Sequence, residues 1–381
     1  MTEKLYEKDA YINTFTAKVV ECSKEDGFFN IVLDKTAFFP EGGGQKSDSG
    51  TLDGMEVIDV QIKDSVIYHK IKEPQTVGKT IEGKIDRYVR FFRMQNHTGE
   101  HLVSGLLHSE YGYNNVGFHM GSDFVTVDTD GKIGYSELLK IEEKANMAVY
   151  ENVPVRTFVP TEKELECLDI RSKIELKDGI RAVEIEGYDL CACCAPHVKR
   201  TGEIGIVKIL NSYPHRGGTR FEMLCGHDAL EYFREKMSDN GKIMNLLSSP
   251  DGKTPEAVEK TLAALSAAEY EIKTLREKLA LAKMQTERVN SVTVGFIPDA
   301  DFDDLRVGIN CLTEKNEGIC AVLSENSDGN CIYIVASEKT DISPFMAELK
   351  GKLQVKGGGK NNYSQGKIAA GFSDFLSALS E

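Results

Sequence analysis

The chain has 381 residues, a formal net charge of −14 and an apolar fraction of 41%, which fits a globular protein of roughly two to four domains. The acidic balance excludes a surface coated for non-specific nucleic-acid binding but is compatible with a local basic groove. No run of about 18 apolar residues occurs, and the first segment, MTEKLYEKDAYINTF, has no apolar core, so neither a membrane span nor a secretory leader is expected and the protein is expected in the cytoplasm.

The predicted elements fall into four regions in chain order. Residues 1–86 contain short apolar or alternating runs (FFNIVLD, GTLDGMEVIDVQI, SVIYHKI) separated by Gly and Asp turns, the pattern of a β-meander or barrel. Within them lies FFPEGGGQKSDSG. Gly42, Gly43 and Gly44 permit positive φ or close backbone approach to a ligand, although a plain hairpin turn also accounts for such a run.

Residues 87–225 alternate helices (His97 to Tyr111, Tyr135 to Asn152, Thr161 to Leu168) with strands such as DFVTVDT, VPVRTFV, IRAVEI and IGIVKILNSY, which predicts an α+β layer. His119 in this region is expected to support structure rather than bind a ligand. Residues 226–290 read as two helices separated by SSPDGKTPE. In the second, Leu265, Ala268, Ile272, Leu275, Leu279 and Ala282 alternate by three and four, a coiled-coil seam that either self-associates in a homodimer or folds back as a helical hairpin. Residues 291–381 alternate strand and helix and predict an independent α/β domain.

Two pairs of residues carry the chemistry. His97 and His101 form His-x-x-x-His on a predicted amphipathic helix, where residues four apart share a face about 6 Å apart and can chelate one ion. Cys193 and His197 form Cys-x-x-x-His in LCACCAPHVKRTGEIG, on a predicted strand end and tight loop. Thiolate with imidazole favours zinc over calcium or magnesium, so one zinc ion per chain is expected. The spacing leaves open which of Cys191, Cys193 and Cys194 ligates. Nine cysteines, three of them crowded beside a histidine, suit metal ligation in a reducing compartment better than a disulfide frame.

Basic residues flank these pairs: Arg87, Arg90 and Arg93 before the first, Lys199 and Arg200 after the second, and His215, Arg216 and Arg220 beyond. A further set, Lys350, Lys352, Lys356, Lys360 and Lys367, surrounds Gly357, Gly358 and Gly359. Arg216 and the three glycines are the substrate-binding candidates outside the GGGQ segment.

FFPEGGGQKSDSG, HTGEHLVSGLLH and CACCAPHVKRTGEIG, in that order, resemble the signature segments of alanyl-tRNA synthetase editing domains and of the freestanding alanyl-tRNA editing proteins. GGGKNNYSQGK is similar to the glycine-rich segment of the DHHA1 domain that closes the synthetases and the long editing proteins. The resemblance implies that His97, His101, Cys193 and His197 are the zinc ligands. It also implies that Gln45 faces the aminoacyl group or its attacking water and that Thr36 meets a serine hydroxyl. With the GGGQ segment near residue 38, the chain is expected to hold editing parts without an activating domain. It departs from the family's Cys-Gly-Gly-Thr-His at Cys194, Ala195 and Pro196.

The function so implied is hydrolysis of serine, and also glycine, from tRNA(Ala). Two other readings remain. His97-Thr98-Gly99-Glu100-His101 also fits the inverted zincin signature of a metallopeptidase, with Glu100 as general base, and a non-hydrolytic tRNA-binding or regulatory protein could carry the same residues around a structural zinc.

Overall fold

The computed structural model describes residues 2–172 and 180–380. The chain divides into two compact units, Met1–Gly241 and Lys242–Glu381. Helices and mostly antiparallel sheets are mixed throughout, so the fold is α+β.

In the first unit, seven antiparallel strands between Thr14 and Ile85 form one sheet. Its two edges, Met55–Val57 and Asp59–Lys63, are consecutive in the chain and separated by Ile58 alone. Ile58 N–H donates to Lys70 O at 2.8 Å, so the sheet nearly closes on itself. The period-two pattern explains this: Thr14–Glu25 and Thr80–Ile85 begin by alternating exposed and buried residues. The inward set, including Ala17, Val19, Ile31, Leu33, Phe38, Leu52, Ile67 and Ile81, makes a single core.

The helix Arg87–Tyr111 is the spine of the remainder of this unit. It starts ten residues before the expected His97, because the Asp86 side chain caps it by accepting from the Tyr88 and Val89 amides. It ends at Gly112, whose φ of 70° supplies the left-handed cap. The helix is not amphipathic along its length. Every residue from Met94 to Leu107 is buried, and its apolar residues share one core with a four-stranded antiparallel sheet, a three-stranded one and the helix Tyr135–Glu151. The three-stranded sheet comprises Val155–Phe158, Ala182–Ile185 and Asp189–Ala192.

A buried ion pair ties this helix to the GGGQ segment. Arg90 donates from Nε to Asp48 Oδ1 at 3.0 Å, and its two terminal nitrogens reach Ala10 O and Ala37 O, each at 2.7 Å. Asp48 also accepts from Phe39 N–H at 2.6 Å. Both side chains are almost fully buried, and the hydrogen bonds satisfy the remaining lone pairs and protons that such a pair leaves.

The second unit carries a six-stranded sheet ordered Gln285–Val289, Val292–Phe296, Ile319–Glu325, Cys331–Ala336, Tyr363–Ile368, Val355–Lys360. The expected α/β alternation is present, but Val292–Phe296 with Ile319–Glu325 is its one parallel pairing; the others are antiparallel, three of them hairpins and the fourth, Cys331–Ala336 with Tyr363–Ile368, joined through the helix Ser343–Lys352 and the strand Val355–Lys360. Gly357 and Gly359 are needed by the last hairpin itself. A Cβ on Gly357 would sit 2.3 Å from Gln365 O, and one on Gly359 would sit 1.8 Å from Tyr363 O. Gly358 faces open space. The helix Thr254–Lys283 buries only Ala280, and its seam residues Leu265, Ile272, Leu275 and Leu279 are exposed.

Among the described residues no helix is long and apolar enough to cross a membrane.

Candidate metal centre

The two sequence pairs meet. His97, His101, Cys193 and His197 place their ligand atoms within 4.8 Å of one another. The first two project from one face of the buried helix. The second two lie on the segment that leaves the strand Asp189–Ala192, held by Arg181, which donates to Cys193 O and Ala195 O, each at 2.9 Å. Ala195, where the resembled editing domains have a glycine, is buried in the core of the seven-stranded sheet. Its methyl thus anchors the Cys-His segment to the β-rich half.

Each imidazole is oriented through Nδ1. His97 Nδ1 lies 2.8 Å from Gln45 Oε1, His101 Nδ1 lies 3.2 Å from Asp189 Oδ2, and His197 Nδ1 lies 3.0 Å from Thr98 Oγ1. Glutamine and aspartate oxygens only accept, so the first two rings carry a proton on Nδ1, and Nε2 is the nitrogen each turns towards the cluster. Nε2 of His97 and of His197 lie 3.7 and 3.3 Å from Cys193 Sγ. Asp189 is held in turn by Arg171, at 3.0 and 3.1 Å. Outer-shell acceptors on Nδ1 with Nε2 turned inward are how histidines are prepared for a metal, and three imidazoles with one thiolate suit a soft or borderline ion. The residues present therefore fit a metal.

The electrostatics agree. Burial pushes the Cys193 thiol up, but the facing His97 and His197 rings and hydrogen bonds from His101 and His197 outweigh it and hold the thiol well below its ordinary range. Burial acts on His197 as the dominant cause and lowers it to about 3. Cys191 and Cys194 are raised, chiefly by burial, so Cys193 is the thiol of the three poised as a thiolate.

Gln45 reaches the cluster because of the turn before it. Gly42 and Gln45 exchange both backbone hydrogen bonds, at 3.0 and 3.1 Å, around Gly43 and Gly44. Both glycines have positive φ, 59° and 82°. A Cβ on Gly44 would lie 2.4 Å from Phe118 O, so only glycine lets the turn press against the strand Asn115–Met120. The glycine run is thus a tight turn as well as a site element. Gln45 is 1% exposed, and its Nε2 has no partner among the described residues.

A cavity of about 840 Å³ opens over the cluster. Its lining includes Gly42, Gly43, His97, Glu100, His101, Arg171 and Cys193. Thr36 is not among its lining residues. Thr36 is fully buried, and its Oγ1 lies 2.8 Å from His69 Nε2 while accepting from Phe38 N–H. Arg216 sits at the exposed tip of the hairpin Val207–His215/Gly218–Cys225, and His119 is exposed on its strand. Asp189, Thr98 and Arg171 are site residues that the sequence reading did not name.

The family model for the "Threonyl and Alanyl tRNA synthetase second additional domain" matches residues 180–222, which contain Cys193 and His197. The model for "tRNA synthetases class II (A)" matches residues 5–89, which contain the GGGQ turn. The alanyl-tRNA editing protein AlaX-L of Pyrococcus horikoshii is 26% identical, and the match covers 97% of this chain and 95% of that protein. The chain is thus similar, over nearly the whole length of both, to an alanyl-tRNA editing protein. The alanine–tRNA ligase of Pyrococcus furiosus is 32% identical over 96% of this chain, which spans 42% of that ligase. The C-Ala domain of Aquifex aeolicus alanyl-tRNA synthetase overlaps 26% of this chain with 19% identity and a TM-score of 0.21. The match to that editing protein runs across both units, and the two family models cover the GGGQ turn and the Cys193/His197 segment but not the helix that carries His97 and His101.

Proposed function

We propose that this chain is a trans-editing hydrolase in the cytoplasm, cleaving the ester that joins serine, and secondarily glycine, to the terminal adenosine of tRNA(Ala). The need is chemical. An alanine-selecting pocket cannot sterically exclude glycine and discriminates weakly against an added hydroxyl, so a second site must remove the errors. The observation that carries the reading is the hydrogen bond from His97 to Gln45, which joins the GGGQ turn to a His/Cys cluster whose His97, His101 and Cys193 line one cavity, in a chain similar over nearly its whole length to an alanyl-tRNA editing protein.

In this reading His97, His101, Cys193 and His197 hold one zinc ion, which would shape the pocket and position the aminoacyl end. An inverted-zincin peptidase needs an open metal position; four protein donors within 4.8 Å of one another leave none in a tetrahedral site. Gln45 accepts from His97 and offers its unpartnered Nε2 to the ester oxygen or to water. Gly42 and Gly43 border the space where the ester lies. Arg216 and the Gly357–Gly359 hairpin with its lysines take the tRNA phosphates, and a second copy of the chain pairs along the exposed helical seam.

The test is deacylation of Ser-tRNA(Ala), Gly-tRNA(Ala) and Ala-tRNA(Ala) by the purified protein. Serine should be released much faster than alanine. Failure to release serine or glycine would overturn the proposal.

A further inference from the structure

Glu100 stands one helical turn from His97, between the two metal-site histidines in sequence, and the chemistry described so far makes no use of it. It is 3% exposed and lines the cavity. Its Oε1 accepts from the Ser104 hydroxyl and the Asn115 amide, which fix the carboxylate without neutralising it. Among the described residues Glu100 has no ion-pair partner. Arg171 is committed to Asp189 at 3.0 Å. Glu100 is also absent from the group of side chains whose donor atoms cluster for a metal. The other acidic residues lining the cavity, Glu41 and Asp130, are exposed.

A buried carboxylate without a cation is costly, and proteins retain one where a cation arrives from outside. We propose that Glu100 binds the free α-ammonium of the aminoacyl ester, and so restricts the site to amino acids whose nitrogen is unblocked. This rests on the function proposed above and names the group by which that site recognises its substrate class. The geometry is commensurate. Three residues along a helix advance by about 4.5 Å. An ester carbonyl beside His97 would leave the nitrogen on the adjoining carbon facing Glu100, which lines the same cavity. Binding the ammonium also explains why the carboxylate is held by neutral donors alone: a lysine or arginine there would compete with the substrate.

The test compares Ser-tRNA(Ala) with N-acetyl-Ser-tRNA(Ala), using the full chain and its Glu100→Gln variant, with zinc content measured on both. Glutamine keeps the acceptor for Ser104 and Asn115 and removes the charge. The unaltered protein should cleave the free-amine ester at least about thirtyfold faster than the acetylated one. Glu100→Gln should lose most of that advantage by slowing the free-amine substrate, with zinc content unchanged. Equal loss on both substrates, or an unchanged ratio, overturns the assignment. If the variant does not fold, inhibition of the unaltered protein by the stable amide analogue 3′-seryl-amino-adenosine and by its N-acetyl form decides instead, and equal inhibition overturns it. An unaltered protein that cleaves neither ester, yet binds the free-amine analogue far more tightly than its N-acetyl form by calorimetry, overturns the proposed hydrolysis while upholding the Glu100 subsite.

Discussion

Gln45 Oε1 lies 2.8 Å from His97 Nδ1, so a side chain from the glycine turn of the β-rich half sets the proton position of a histidine on the central helix. Because an amide oxygen accepts only, His97 carries a proton on Nδ1 and turns Nε2 towards the cluster. The same residue carries the orphaned donor Nε2. Gln45 therefore joins the His/Cys cluster to a buried, unpartnered donor.

Replacing Gln45 with Ala should weaken metal affinity by about 10- to 100-fold, the usual cost of losing an outer-shell partner. Deacylation should fall by about 100-fold or more when zinc is kept saturating, because a donor aimed at developing charge is also lost. Competition against a chromogenic chelator measures the first effect, and single-turnover release of serine at saturating zinc measures the second. Unchanged affinity would show that His97 needs no help from the turn.

Asp48 and Arg90 make the second link between the same two parts. Asp48→Ala strands a buried guanidinium and should destabilise the protein by about 3–5 kcal/mol. Asp48→Leu with Arg90→Met removes both charges and should recover a large share of that loss. Urea midpoints of the first unit's transition for the three proteins decide the matter; additive losses in the double variant would mean that the pair is not coupled.

The His97/His101 and Cys193/His197 pairs were legible in the sequence because each is a local spacing on a single element. Their supports were not. Asp189 holds a histidine of the helix from the strand that leads to Cys193, Thr98 of the helix holds His197 of the loop, and Arg171 lies beyond the helix Glu162–Cys167, so contact among them is a product of tertiary packing. A signal existed for Asp189: it alternates with Cys191 and Cys193, placing a carboxylate on the thiol face of a strand. The early start of the central helix was legible too, in Asp86 as a cap. The burial of that helix on every side was not, since polar residues such as Gln95, Asn96 and Ser104 hide in hydrogen bonds and disguise the pattern.

Burial holds the His69 imidazole down at about 4, against 6.5 in the open chain, despite the opposing hydrogen bond to Ile31 O. That ring is neutral in the fold, with its Nδ1 proton given to the carbonyl and Nε2 accepting from the Thr36 hydroxyl. A depressed histidine means that the unfolded chain binds the extra proton. The stabilisation is complete above pH 6.5 and is lost as pH falls towards 4, by roughly 3 kcal/mol at about 1.4 kcal/mol per unit. His69→Gln should be less stable at neutral pH and should show a shallower fall in Tm between pH 6.5 and 5 than the unaltered protein. Thr36→Val should cost about 1–3 kcal/mol, since it leaves Nε2 unsatisfied, and should leave the serine-to-glycine preference intact; a changed preference would put Thr36 in contact with substrate.

Leu265, Ile272, Leu275 and Leu279 are 54–57% exposed on the helix Thr254–Lys283. Their spacings of seven, three and four are those of a coiled-coil seam. A single helix in water gains little from such a stripe and exposes it at a cost, whereas a second copy would cover it by knobs-into-holes packing. Sedimentation equilibrium should therefore report a dimer, and Ile272→Lys with Leu279→Lys should report a monomer, since burying two ammonium groups at seam positions opposes pairing. The far-UV circular dichroism of the variant should stay close to that of the parent, because lysine forms helix about as well as leucine. Deacylation per chain should also hold, because the His/Cys cluster is complete within one copy of the first unit. A monomeric parent protein would mean that the seam serves another surface.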